Sequence, residues 1–191
     1  FNAGSALAAG ADAGMTMLST HLAAASATAV WVAIEWIKYG KPSLVGAVTG
    51  TVAGLATITP ASGYVGPLGA VALGVVGCLV CFVAVQVVKR GFQVDDALDV
   101  LGVHGVGGTL GSLLLPFAAL IGSGHAVMAR PALSQFWLQA EAVVIVGLWS
   151  VVVTFAIVKL AGVFGLRADE DAEIHGLDFS YHGESGYHAE H

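Results

Sequence analysis

Of the seven histidines in this 191-residue chain, His104 has the surroundings most suited to chemistry. It stands in Val94-Asp95-Asp96-Ala97-Leu98-Asp99-Val100-Leu101-Gly102-Val103-His104-Gly105-Val106-Gly107-Gly108, where three carboxylates precede an apolar run. A neutral imidazole accepts a hydrogen bond at one ring nitrogen and donates at the other, so it can orient a small polar molecule or relay a proton. Read as one helix, the run puts Asp96, Val100 and His104 on a shared side at i, i+4 and i+8. It also sets His104 about 12 Å past Asp96 along the axis. An ionisable residue that deep in a membrane faces a cavity or a partner; the plainer reading is a histidine bonded to a neighbouring helix for packing. Gly102, Gly105, Gly107, Gly108, Gly111 and Ser112 favour close approach of other backbones. Asp95, Asp96 and Asp99 read first as carboxylates that cap free amides and complement the positive helix end.

Other reactive side chains suggest less. Cys78 and Cys81, three apart in an apolar helix, cannot form an ordinary disulfide without breaking it and read as buried small hydrophobes. His21 reads as a packing residue. The tail histidines His175, His182, His188 and His191 fit no metal-ligand spacing. No nucleophile–base set, phosphate-binding loop or metal cluster appears in the apolar part, so neither an enzyme nor a cofactor is expected.

The elements that must hold His104 are membrane helices. The chain is 57% hydrophobic and 10% charged, with mean hydropathy +0.83; a soluble domain carries about 25% charged residues. Five apolar segments are expected to span: roughly 15–37, a short Gly-rich 44–58, 65–88, 97–121 and 136–164. Lys38-Tyr39-Gly40-Lys41-Pro42, the turn cluster Thr59 to Tyr64, Lys89-Arg90-Gly91 and Arg130-Pro131 separate them. Gly46, Gly50 and Gly54 recur every four residues, as do Gly66, Ala70 and Gly74, a pattern that lets helices approach in lipid. Residues 1–14 are then an external end and loop, 15–166 the helix bundle and 167–191 an acidic tail.

The net charge of −6 is confined to that tail, which holds seven of the thirteen acids, Glu190 among them. This argues against nucleic acid and for a protein partner or plain solubility. Lys38, Lys41, Lys89, Arg90 and Arg167 fall on one side of the bilayer and Arg130 alone on the other. The tail is therefore expected in the cytoplasm.

The stretch from Asp96 to Gly108, with its H-G-x-x-G ending, closely resembles a signature of the Amt/Mep/Rh ammonium transporters. Phe1-Asn2-Ala3-Gly4-Ser5 is similar to the family's F-N-A-G-S, and Thr59 to Val65 to its T-P-A-x-G-Y-V. Gly165-Leu166-Arg167, Gly176-Leu177-Asp178 and His182-Gly183-Glu184 resemble the tail of bacterial members. The resemblance implies an all-α membrane protein whose five helices correspond to the second inverted repeat plus the final helix of an eleven-helix transporter. It implies a homotrimer in the plasma (inner) membrane, with ammonium or ammonia as substrate.

Carried over by position, His104 resembles the second of a pair of pore histidines, and Phe1 one of two stacked phenylalanines at the outer gate. Ser5 resembles a hydroxyl of the external recruitment site, Val100 a channel-lining residue, and Asp96 the family aspartate that starts the helix. Gly176, Leu177, Asp178, His182, Gly183 and Glu184 fit a tail that docks trimeric signalling proteins of the PII type, or one that packs beneath its own trimer. The first pore histidine lies outside this sequence, which begins at Phe1 without an initiator Met, and a preceding segment is expected. An ammonium sensor, a regulatory docking protein and an incomplete, non-conducting fragment are the alternatives.

Overall fold

A computed structural model describes residues 1–121, 130–165 and 167–184. Leu166, His188, Glu190 and His191 lie outside the described residues. Two compact units, Phe1–Val144 and Ile145–His191, divide the chain.

Among the described residues the regular structure is entirely helical. A 3-10 turn (Ala3–Ala6) leads into α1 (Ala11–Tyr39), α2 (Leu44–Ile58) and α3 (Pro67–Gln86). A π-helical turn, Val87–Gly91, ends α3, and another, Val100–Gly105, runs directly into α4 (Val106–Ala118). Then come α5 (Ala132–Val163), the short α6 (Glu170–His175) and a last π turn, Asp178–His182. Among the described residues, four stretches are long and apolar enough to cross a bilayer: Ala11–Tyr39, Pro67–Gly91, Val100–Ala118 and Ala132–Val163. Helix α2 has 15 residues, about 22 Å at the α-helical rise and short of roughly 30 Å of hydrocarbon. Length and composition therefore support four of the five expected spans.

The breaks between helices have identifiable causes. Gly40 closes α1 with φ of 80°, a left-handed position that glycine takes without the Cβ penalty. Ser43 then caps α2, its Oγ accepting the Gly46 amide at 2.8 Å. The same hydroxyl donates to Glu35 Oε2 at 3.1 Å, while Trp31 Nε1 donates to Glu35 Oε1 at 3.3 Å. One carboxylate thus ties the end of α1 to the start of α2. At the other end of α2, Thr59 to Tyr64 form successive turns before Pro67 begins α3.

Without a hydrophobic drive between helices in lipid, close backbone approach must hold the bundle. A Cβ on Gly54 would come within 2.7 Å of Ala27 Cβ, and one on Gly74 within 2.9 Å of Ala23 Cα. The two small-residue stripes therefore dock α2 and α3 onto α1. Ala23, Ile58, Val65, Ala70, Leu73 and Leu115 form one buried cluster of this first unit. Ala27, Trp31, Cys78, Cys81, Phe82 and Val103 belong to a second. Both cysteines are free and wholly buried. His21, expected to pack, lies exposed on α1 instead. Ala23 and Ala27 supply the packed face, and a residue two positions before Ala23 points away from it.

Candidate functional site

The turn that carries His104 begins with carboxylates. Asp96 and Asp99 lie in a loop before the helix, where the Asp99 amide donates to Asp96 O at 3.1 Å. The Asp96 carboxylate then accepts three successive amides: Val100 at 2.8 Å, Leu101 at 2.9 Å and Gly102 at 3.4 Å. Those are the free donors a helix start leaves over. Asp99 sits in the left-handed region, with φ of 57° and ψ of 29°. Its Oδ1 lies 2.7 Å from Lys89 Nζ without the alignment of a hydrogen bond, so the pair is an electrostatic contact. It ties the end of α3 to the start of the His104 turn.

This geometry corrects the single-helix reading of the segment. A left-handed Asp99 cannot continue a right-handed helix back to Asp96, so the three residues at i, i+4 and i+8 do not share a helical face. From Val100 to Gly105 the chain is wound as a π-helix with i→i+5 bonding. Within this turn Gly102 and Val103 are buried. Gly102 approaches Val85 so closely that a Cβ would come within 2.8 Å of its Cγ2. Cys81 Sγ lies 3.7 Å from Val103 O. The opposite side of the turn is bare: Val100 is 53% exposed, and His104 is exposed as well. Val100 and His104 thus stand together on an uncovered flank of a helix long and apolar enough to cross a membrane.

Phe1 and Ser5 lie elsewhere. Phe1 is fully exposed, and Ser5 Oγ donates to Phe1 O at 3.2 Å. Ser5 borders a cavity of about 320 Å³ that Asn2, Asp12, Thr16, Thr59 and Ser62 also line and that does not reach His104. The chain therefore does not bring the outer pair and the histidine into one enclosed site. Asn2 was not singled out from the sequence, yet it joins three elements: its Nδ2 donates to Thr20 Oγ1 at 3.1 Å and Thr59 Oγ1 at 3.4 Å. The signal was its place inside the Phe1–Ser5 motif.

In the second unit, Arg167 makes a two-pronged contact with Glu173, Nε to Oε1 and Nη2 to Oε2, each at 3.1 Å. The guanidinium holds the Glu173 carboxyl below the usual glutamate range and is itself shifted up by that pairing. His175 Nδ1 donates to Asp171 O at 2.7 Å. Gly176 and Gly183 have φ of 92° and 65° and bracket the π turn that carries Asp178 and His182. Glu184 N closes it onto Asp178 O at 3.0 Å.

Residues 1–187 match the Ammonium Transporter Family. An ammonium transporter of Bacillus subtilis (strain 168) is 40% identical over 191 residues, which cover 98% of this chain and 47% of the relative. A putative ammonium transporter of Methanothermobacter thermautotrophicus is also 40% identical, with the same shares covered. Among solved structures, a sensor Amt protein superposes with a TM-score of 0.83 at 28% identity, over 94% of this chain and 44% of that one. Mep2 of Saccharomyces cerevisiae follows at 0.69 and 35%, over 80% and 38%. The chain spans about half the length of the curated relatives it matches.

Proposed function

The chain belongs to the ammonium transporter family, and from that premise we propose that it supplies one wall of a hydrophobic pore through which ammonium is taken across the membrane as ammonia. The observation that carries this reading is the placement of His104 and Val100 on the uncovered side of a π-wound turn opening a spanning helix. An ionisable side chain in such a helix faces a cavity or a partner, and π turns recur at functional sites.

The chemistry follows from two competing costs. Moving an intact ammonium ion through an apolar constriction costs several kcal/mol even after relaxation. An amine that titrates about three units above neutrality gives up its proton at pH 7 for roughly 4 kcal/mol. Shedding the proton is therefore competitive with carrying the charge. His104, paired with a second histidine outside this sequence, orients ammonia and hands the proton along the imidazole pair. Val100 keeps the passage apolar, while Phe1 and Ser5 serve the outer entrance.

In this reading the protein is a homotrimer of the plasma (inner) membrane, with its tail in the cytoplasm. Gly176 to Glu184 there form a docking surface for a PII-type regulator. A second reading, ammonium sensing with weak conduction, draws support from the likeness to a sensor Amt protein.

Solid-supported-membrane recording of ammonium-evoked current, with this segment in its full-length context, tests the reading. Wild type gives a selective current or flux, and His104→Ala abolishes it or lets other cations through. Unchanged, selective uptake by His104→Ala sinks the pore assignment. Saturable ammonium binding with negligible flux in wild type favours the sensor.

A further inference from the structure

The inner side of the His104 turn is held from α3 by contacts that lie wholly inside this chain. Cys81 and Val85 stand one turn apart on one face of α3, and both meet the turn. Val85 is the surface against which Gly102 packs. Cys81 donates its thiol hydrogen to the Val103 carbonyl, with 3.7 Å between Sγ and O. Cys81 is 0% exposed and Val103 2%, so bulk water does not reach that bond. A Cβ on Gly107 would stand 3.2 Å from Cys81 Sγ and 3.1 Å from Thr57 Oγ1. The start of α4 therefore closes around the sulfur from the other side.

The carbonyl oxygen of Val103 and the amide nitrogen of His104 belong to one planar peptide. Holding the oxygen holds the plane from which the His104 side chain departs. The same oxygen also stands at the choice between two windings. The Val106 amide divides between Leu101 O, five residues back, and Val103 O, three back. A bond to Leu101 is the π form and a bond to Val103 the tighter 3-10 form.

We propose that Cys81 is a positioning residue for His104. Its thiol draws the Val103 carbonyl toward α3, leaves the Val106 amide to Leu101, and so keeps the turn π-wound and sets the direction of the imidazole. Cys78, one turn earlier in α3, is equally buried, but among the described residues only Cys81 of the two bonds the turn. The effect on conduction rests on the pore reading; the orientation of the ring does not.

Magic-angle-spinning NMR of the full-length protein, labelled at histidine and held in bilayers, observes the ring directly. The His104 signals are those missing from His104→Ala. Cys81→Ala is expected to displace them, and Cys81→Ser, which keeps a donor on the same Cβ, to leave them near wild type. Cys78→Ala should leave them unchanged at a comparable loss of thermal midpoint. Of these three variants, only Cys81→Ala should lose maximal ammonium-evoked current, about three- to fivefold for one thiol hydrogen bond, with half-saturation unchanged. Wild-type ring signals in Cys81→Ala overturn the proposal. Equal displacements in Cys81→Ala and Cys78→Ala reduce the effect to packing and overturn it as well. A displacement in Cys81→Ser as large as in Cys81→Ala removes the donor role, with the same consequence. A wild type without ammonium current sinks the pore reading instead, and the ring signals still decide what aims His104.

Discussion

The carbonyl oxygen of Thr57 lies where the Cβ of any larger residue at position 111 would have to go, so Gly111 is the contact at which α4 meets the end of α2. Thr57 is completely buried, and its own Oγ1 donates to Ala53 O at 2.8 Å, so it has little room to retreat. Gly111→Ala is expected to destabilise the bundle by about 1–3 kcal/mol through overpacking. A thermal-unfolding midpoint in detergent equal to wild type would show that the contact yields easily. Gly108, which has nothing within reach of a Cβ, is the control: Gly108→Ala should leave the midpoint unchanged or raise it.

Asp96 accepts the amides of Val100 and Leu101 at 2.8 and 2.9 Å. Asp96→Ala frees them and is expected to cost about 0.5–2 kcal/mol, with Asp96→Asn falling between it and wild type. Hydrogen exchange at Val100 and Leu101 should accelerate in Asp96→Ala more than exchange at Val85, in the body of α3. Unaltered exchange at those two amides would remove Asp96 from its capping role.

The left-handed Asp99 separates two contributions that one substitution would merge. Asp99→Ala and Asp99→Gly both lose the contact to Lys89, worth about 1 kcal/mol or less at a partly exposed pair. Only glycine accepts φ of 57° without strain, so Asp99→Gly should be more stable than Asp99→Ala by about 1 kcal/mol. Equal unfolding midpoints for the two variants would contradict a left-handed backbone there.

Glu173 gives the tail a pH dependence of definite sign. Arg167 lowers its folded-state pKa, so the contribution is present above the ordinary glutamate range and is lost as pH falls through the lowered value. Titration followed by the Glu173 side-chain carbonyl signal in NMR should give a value below that of a free glutamate. Arg167→Gln should move it back up. A Glu173 value indifferent to Arg167→Gln would break the assignment. Because the pair is solvent-exposed, added salt should narrow the difference.

The sequence makes the helical membrane architecture legible because lipid leaves few options. Apolar runs long enough to span must be helical, and Gly40, Pro42 and the turns from Thr59 to Tyr64 could hardly sit inside one. The glycine stripes on α2 and α3 were readable for the same reason, since small residues are what close helix contact needs. Less was legible around His104. Nothing in Ala97-Leu98-Asp99-Val100 announces that Asp99 turns left-handed or that the next six residues are π-wound; the contacts made there, Asp99 with Lys89 and Gly102 with Val85, are to residues of α3 and the turn that ends it. Asn2 escaped notice because its partners, Thr20 and Thr59, lie far along the chain. The exposure of His21 likewise depended on which side of α1 met α2 and α3, a choice made by Ala23, Ala27 and the glycines opposite them.

The π winding from Val100 to Gly105 also bears on how this segment can change length over generations. An i→i+5 turn holds a residue that an α-turn would not need. Deleting one residue there gives the backbone a ready alternative, to rewind as ordinary α-helix, with α4 and the Gly111 contact left in place. If Gly105, the one residue between His104 and α4, is the residue lost, His104 takes its position and swings by about 100° relative to α4, the α-helical angle per residue. The extra residue is thus a one-step setting that re-aims one imidazole and leaves the scaffold that carries it alone.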